Sequence, residues 1–270
     1  MNTKKLDEIK QAIIKAGEET LKFYDNPEVE YKENDSPVTK ADLASEKIVL
    51  EALQKTGLPI LSEETEDDLS RLGSKKAWIV DPLDGTKDFI QKTGDFSIMV
   101  GLVENGRPIL GLVYSPSTKE LFYAEKNKGA FVEIDEGESQ RLQVSGIENS
   151  KEARMVVSRN HLKPEDKAVG DFLKVASLEK RGSNGLKIGS ISSGETEFFI
   201  NTTSKMGEWD FCGPEIILTE AGGMMTDIKG DILIYNKKNP RMKTGLVASN
   251  GKFHDKIIKA INKIKKRHGK

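Results

Sequence analysis

Trp78-Ile79-Val80 is an apolar run that stops abruptly at two carboxylates, a glycine and a hydroxyl in Asp81-Pro82-Leu83-Asp84-Gly85-Thr86. A short β-branched stretch bounded by turn residues predicts a buried strand over residues 77–80, ended by Pro82. The residue before a proline is pushed out of the helical region, so Asp81 stays extended while Asp84 comes around the turn to the same side. Gly85 frees the backbone there. Residues 86–92 then start a short helix, whose first amides lack internal partners and point at whatever the aspartates hold. A cation beside a phosphate fits such a place. Taken alone, the stretch also fits a strand followed by an Asp-Gly turn. An EF-hand is excluded, because its loop alternates ligands and closes on a glutamate at the position where this chain has Lys92. A phospho-aspartyl enzyme of the haloacid dehalogenase type spaces its acids two apart, whereas Asp81 and Asp84 are three apart.

The remaining 270-residue chain is long enough for two lobes sharing an interface. A helix is predicted over residues 3–24, stopped by Asp25-Asn26-Pro27. A polar loop follows, and a second helix runs to about Lys55. Thr39 fits its N-cap and Asp42 lies three residues on, so Asp42 also fits a capping box. Ile60-Leu61 predicts a short strand delivering Ser62-Glu63-Glu64, and the charged residues 65–76 predict a mobile flap. Two apolar runs, 96–103 and 108–114, flank Asn105-Gly106, a strong hairpin signal. Residues 121–124 and 130–134 continue an antiparallel sheet with helices packed on it.

The polar stretch 135–152 marks the expected boundary between a lobe over 1–150 and a second over 151–270. In the second, 155–158 predicts a strand presenting Arg159, Asn160 and His161, with a helix over 164–176. A loop at 181–185 precedes Leu186-Lys187-Ile188, and 198–200 is a strand. Glu208-Trp209-Asp210 leads into a helix over 214–221, closed by Gly222-Gly223. A strand at 244–249 and a basic helix over 254–270 complete the chain.

With 42 Lys plus Arg against 43 Asp plus Glu, the net charge is -1, which offers no global attraction for nucleic acid or a membrane surface. Any anionic ligand must be bound locally. A single cysteine, Cys212, excludes an internal disulfide framework and suits a reducing compartment. No apolar run approaches the ~18 to 20 residues needed to cross a bilayer, and the first residues lack the apolar core of a signal peptide. A cytoplasmic protein, monomer or homodimer, is expected.

Asp42, Glu63, Asp81, Asp84 and Asp210 each fall at the mouth of a predicted element. Two bare carboxylates ~4 Å apart repel by about 4 kcal/mol at an effective dielectric of about 20, so five gathered acids require a metal. Pro37-Val38-Thr39-Lys40-Ala41-Asp42, Ser62-Glu63-Glu64, Asp81-Pro82-Leu83-Asp84-Gly85-Thr86, and Trp209-Asp210 leading to Glu220-Ala221-Gly222-Gly223 resemble the motifs of the inositol monophosphatase superfamily, in its order. The resemblance implies an α+β fold layered α/β/α/β/α, with an N-terminal antiparallel sheet and a smaller C-terminal α/β lobe. It implies a magnesium-dependent, lithium-sensitive phosphatase with about two or three Mg2+ per site. Glu63, Asp81, Asp84, Asp210 and the Leu83 carbonyl would be the metal ligands. Asp42, Thr86 and Glu63 would orient the attacking water, and the Gly85 and Thr86 amides would bind phosphate oxygens. A cysteine phosphatase would need an arginine six residues after Cys212, where this chain has Leu218.

Ser158-Arg159-Asn160-His161, the segment from Gly182 to Lys187, and Met206 to Glu215 resemble the nucleotidase branch of that family. This implies His161 beside an adenine, Ser183 and Lys187 toward the 5'-phosphate and nucleoside, and Asp210 touching substrate. The expected substrate is adenosine 3',5'-bisphosphate, hydrolysed to AMP and phosphate. The Gly-Ser loop is one residue longer than the commonest form, so Ser183 and Asn184 compete for that contact, and Gly213 replaces the usual alanine. Read without the resemblance, His161 fits a helix cap and Lys187 a solvated helical face. Inositol phosphate, fructose bisphosphate and a non-catalytic anion-binding role are the alternatives. No glutamate for sugar hydroxyls follows Phe198-Phe199, which disfavours the first.

Overall fold

The computed structural model describes residues 3–32, 36–203 and 206–267. Part of the predicted polar loop, residues 33–35, and the last three residues of the predicted C-terminal helix lie outside them. The elements in chain order are α1 (Thr3–Leu21), β1 (Val29–Tyr31), β2 (Pro37–Thr39), α2 (Lys40–Gln54), β3 (Ile60–Ser62), β4 (Lys76–Asp84), α3 (Thr86–Ile90), β5 (Ser97–Glu104), β6 (Arg107–Ser115), β7 (Glu120–Glu125), β8 (Gly129–Ile134) and β9 (Gln140–Arg141). They continue with β10 (Arg154–Ser158), α4 (Pro164–Leu173), β11 (Ser177–Arg181), α5 (Asn184–Ser192), β12 (Phe198–Asn201), α6 (Cys212–Glu220), β13 (Met224–Asp227), β14 (Leu246–Ser249) and α7 (His254–Arg267).

The strands β3 to β9 form a seven-stranded sheet in sequence order. Only its first pair, β3 and β4, is parallel; all later pairs are antiparallel. A second sheet has the order β11-β10-β12-β14-β13. Strand alternation sends side chains to opposite faces, and β4 shows the result. Trp78 and Val80 join Ile9, Ile13, Val49 and Leu53 under α1 and α2, while Ala77 and Ile79 face Ile188, Ile191, Cys212 and Leu218 of α5 and α6. On the far face of the second sheet, Met155, Val157, Phe198 and Val247 pack on Val169 of α4 and Ile257, Ile261 and Ile264 of α7. The layers are therefore α1/α2, seven strands, α5/α6, five strands and α4/α7, the α/β/α/β/α order implied by the resemblance.

The middle layer lies flush on the first sheet because Gly101 and Gly111 of the sheet and Gly213 of α6 have no side chain. A Cβ on Gly213 would sit 2.7 Å from the Val100 carbonyl oxygen, and one on Gly111 would sit 2.2 Å from the Gly213 oxygen. The glycine that replaces the usual alanine at 213 thus has a steric cause, and it brings the start of α6, just past Asp210, onto β5 and β6.

Several expectations are corrected. Pro82 does not end the strand: β4 continues to Asp84, with Asp81 opposite Met99 and Asp84 opposite Ser97 across a register shift. One extra residue is absorbed in a bulge, where a proline with no ladder hydrogen to donate is tolerated. Second, the loop predicted over 181–185 gives way to helix at Asn184, since Ser183 caps α5 by accepting from the Leu186 amide at 3.2 Å. Third, strands β11 and β13 were not foreseen. Their sequences, Ser177-Leu178-Glu179-Lys180-Arg181 and Met224-Met225-Thr226-Asp227, are edge strands of mixed polarity, stabilised by pairing rather than by their own pattern. Similarly, α4 stops at Leu173, where Lys174 takes the left-handed conformation.

A further correction concerns the charged flap at 65–76, which is fastened by Arg71. This side chain is 0% exposed. Its guanidinium donates to both Asp67 carboxylate oxygens (3.1 and 2.7 Å), to Asn236 Oδ1 (2.7 Å) and to the Lys237 carbonyl (2.9 Å). Glu208, two residues before Asp210, is also fully buried and accepts from the Lys237 amide at 3.1 Å. The segment after Glu63 and the loop before Asp210 are thereby tied together. Arg71→Ala is expected to cost about 3 kcal/mol or more in urea unfolding, because it orphans buried acceptors and a partly buried carboxylate. Among the described residues, no helix is long and apolar enough to cross a membrane.

Candidate active site

The bulge in β4 turns Asp81 and Asp84 to one side, where Asp210 meets them from the approach to α6. One carboxylate oxygen of each lies within 4.8 Å of the others. Asp81 and Asp84 are buried and Asp210 is half-buried. The Leu83 amide donates to Asp81 Oδ1 at 3.1 Å, fixing the turn between the two aspartates. Asp84 Oδ2 accepts from the Ser183 hydroxyl (2.5 Å) and the Gly185 amide (3.1 Å) at the start of α5. Asn184 Nδ2 donates to Asp210 Oδ1 at 3.0 Å and the Gly207 amide to Oδ2 at 2.6 Å.

Burial is the main force on all these carboxyls, and it pushes each above the ordinary carboxylate range. For Asp81, the charges of Glu63, Asp84 and Asp210 add to it. Asp210 is raised by burial and then by Asp84. Asp84 is raised by burial against the opposing charge of Lys187. Glu63 is raised by burial and by Asp210, and the Lys32 and Arg241 cations work the other way. A site that disfavours negative charge yet gathers this many carboxylates has the donor chemistry to hold a divalent cation with all-oxygen ligands. Asp81, Asp84 and Asp210 fit that requirement. Glu63 approaches from the end of β3, half-buried, with Lys32 Nζ 3.6 Å from its Oε1 and 2.7 Å from Glu64 Oε1.

Asp42 caps α2 with one carboxylate oxygen and reaches Thr86 with the other. Its Oδ2 accepts from the Thr39 amide (2.8 Å) and hydroxyl (2.6 Å), completing a capping box on α2. Its Oδ1 accepts from the Thr86 hydroxyl at 3.1 Å, which also lies 3.2 Å from the Leu83 carbonyl. Burial raises the Asp42 carboxyl to about 6, despite the Thr39 bonds that favour its ionised form. Thr86 opens α3 after Gly85, whose φ of 93° is the left-handed geometry expected there. Behind α3, the rings of Phe89 and Phe96 pack edge to face at 5.0 Å, with Tyr24 5.2 Å from Phe89.

The substrate-side residues are placed differently from one another. Ser183 is fully buried, bonded to Asp84 and 2.8 Å from the Ser97 hydroxyl, so of the two competing residues only the half-buried Asn184 borders the cluster from outside. Lys187 is not on a solvated face. It is 1% exposed, donates to the Gly182 carbonyl (2.7 Å) and Asn184 Oδ1 (3.2 Å), and is pulled down to about 8 by burial against the pull of nearby aspartates. His161 is exposed and does not cap α4, whose N-cap is Lys163. Partial burial, with Lys87, Lys187 and Lys163 nearby, lowers its pKa.

Two residues had no signal in the sequence. Arg241 lies with its guanidinium 4.8 Å above the Trp209 ring, and its charge favours the ionised forms of Asp210 and Glu63. Lys32 belongs to a charged stretch that reads as solvated loop. Both act across long sequence separations, which local patterning does not reveal.

Against known proteins, residues 2–266 match the inositol monophosphatase family. The chain is 32% identical over 259 residues to the 3'(2'),5'-bisphosphate nucleotidase CysQ of Aggregatibacter actinomycetemcomitans, covering 91% of this chain and 94% of that one. It is 31% identical over 234 residues to a fructose-1,6-bisphosphatase/inositol-1-monophosphatase of Thermotoga maritima, covering 84% and 83%. The crystal structure of CysQ from Bacteroides thetaiotaomicron superposes with a TM-score of 0.76 at 30% identity, over 90% of this chain and 96% of that one. The motif order read along the chain, the five layers and the clustered carboxylates agree with these likenesses: the chain belongs to the inositol monophosphatase family.

Proposed function

We propose that the protein is a magnesium-dependent 3'(2'),5'-bisphosphate nucleotidase that removes the 3'-phosphate of adenosine 3',5'-bisphosphate to leave AMP. The observation that carries the chemistry is the Asp81–Asp84–Asp210 cluster beside the Thr86–Asp42 pair. Glu63, Asp81, Asp84, Asp210 and the Leu83 carbonyl would hold magnesium, which when bound supplies Lewis acidity toward phosphate and water. Asp42, ionised above about pH 6, accepts a hydrogen bond from the Thr86 hydroxyl. The Thr86 oxygen is then left as an acceptor for a water hydrogen, which turns a water lone pair toward phosphorus. Glu63 is the second carboxylate able to take that water's other proton. The Gly85 and Thr86 amides at the start of α3 receive phosphate oxygens.

The substrate assignment rests on the nucleotidase-like segments around His161 and Lys187 and on the similarity to CysQ. His161 offers a flat ring for a base, and the buried Lys187 acts behind Asn184, donating to its Oδ1 and lending positive charge to the side from which the second phosphate would approach. Turnover of adenosine 3',5'-bisphosphate, inositol 1-phosphate and fructose 1,6-bisphosphate in magnesium tests it. The bisphosphate is expected to give the highest kcat/KM, by about tenfold or more. Preference for either sugar phosphate would move the protein toward the activity named for its Thermotoga relative.

A further inference from the structure

We propose that Asp88 is a positioning residue that fixes the segments carrying His161 and Lys187 against the helix beginning at Thr86, and so sets selectivity for a nucleoside-bearing substrate. The selectivity part rests on the nucleotidase reading above. Asp88 lies two residues past Thr86 and is 2% exposed. An acid in the first turn of a helix ordinarily serves that helix's free amides, yet the side-chain bonds of Asp88 lead elsewhere. Oδ1 accepts from Arg159 Nε at 2.9 Å and from the Thr93 hydroxyl at 2.9 Å, and Oδ2 accepts from Asn160 Nδ2 at 2.7 Å. Arg159 and Asn160 are the two residues before His161.

The second segment converges on the same carboxylate. A Cβ on Gly182 would lie 2.2 Å from Asp88 Cγ, so the 182–187 turn rests directly on it. Asp95 reinforces the junction: it pairs with Arg159 Nη2, and it accepts from the Gly182 amide at 3.2 Å through its side chain and from the Ser183 amide at 3.0 Å through its carbonyl. The Arg159 amide donates to the Arg181 carbonyl at 2.9 Å, locking the two segments to each other. One ion pair, buried at Asp88 and open to solvent at Arg159, therefore spans the first sheet's helix α3 and both loops of the second sheet. The distance from the Gly85–Thr86 amides to His161 and Lys187 is set through it. A hydrolytic centre needs none of this to cleave a small monoester, whereas a substrate held at both ends does.

The test compares wild type with Asp88→Asn and Arg159→Met on adenosine 3',5'-bisphosphate and on p-nitrophenyl phosphate, which has no nucleoside. An asparagine at 88 presents an amide nitrogen to donors, and a methionine at 159 removes the fork while keeping the bulk. For both variants the KM for the bisphosphate is expected to rise about tenfold with kcat within about twofold, and kcat/KM for p-nitrophenyl phosphate to stay within about twofold. Arg159→Lys should recover only part of the loss, since a lysine cannot reach Asp88 and Asp95 together. Hydrogen exchange of Asp88→Asn should quicken over 159–163 and 182–187 and stay unchanged over 97–115. Equal loss on both substrates, or an unchanged KM for the bisphosphate, overturns the selectivity role. Wild-type protein that leaves the bisphosphate intact overturns the nucleotidase reading itself. Unchanged exchange over 159–163 and 182–187 overturns the positioning role whatever the substrate.

Discussion

Asp84→Asn is expected to lower kcat in saturating magnesium by about a thousandfold or more while the protein stays folded. The asparagine oxygen can keep the bonds that Asp84 Oδ2 accepts from Ser183 and Gly185, so the junction between β4 and α5 survives. What disappears is one of three negative charges whose oxygens lie within 4.8 Å. Each such pair repels by about 3 kcal/mol at an effective dielectric of about 20. Without metal the variant should therefore melt at the wild-type temperature or above it at alkaline pH, and the rise in Tm on adding magnesium should shrink. Kinetics and melting curves with and without magnesium check both halves. Activity within tenfold of wild type would place the chemistry away from this cluster, and would favour the anion-binding alternative if the wild type is equally slow.

The second large effect is the pH dependence of stability. Burial raises Asp42 to about 6, Asp210 to about 7 and Glu63 to about 8, and raises Asp81 and Asp84 as well. For an acid whose folded pKa lies above its unfolded value near 4, the folded state binds more protons through the interval between the two. Its stabilising contribution is complete below about pH 4 and is lost as pH rises through the folded pKa. The metal-free protein is thus expected to lose on the order of 5 kcal/mol between about pH 5.5 and 8.5, with Tm falling accordingly. Magnesium favours the ionised carboxylates, so its binding releases protons and its stabilisation should be largest at the alkaline end. Calorimetric melts at several pH values, with magnesium or with a chelator, give the slope. A metal-free Tm that climbs across this range would mean that the cluster is not suppressing its own ionisation.

The parts of the fold readable in the sequence are those that repeat a local rule. Leu6, Ile9, Ile13 and Ala16 mark one face of α1, Asn105-Gly106 marks the β5–β6 turn, and Gly222 marks the end of α6. Asp42, Asp81 and Asp84 were legible because each sits where a strand or cap ends in a turn. Pro82 misled, because a proline stops a strand by local preference and only the partner strand β5 reveals a bulge that lets pairing resume. Lys187 misled for a related reason: lysine is rarely buried, and the aspartates that hold its charge are about 100 positions away in sequence, at Asp84, Asp88 and Asp95. Arg71 and Asp88 lie in charged or mixed stretches whose composition reads as solvated. Their burial is set by partners at Asn236 and Arg159, and no window along the chain contains both ends of those bonds.

Cys212 is fully buried, and burial holds its thiol well above the ordinary value. A Cβ on Gly101 would lie 2.4 Å from its sulfur, so the thiol is sealed between α6 and β5 with no path for a reagent. As the sole cysteine in the chain, it makes the protein its own chemical clock. Alkylation therefore requires the contact between α6 and β5 to open, and Asp210 lies only two residues before Cys212. The rate of thiol capture thus reports how often the packing two residues from Asp210 comes apart.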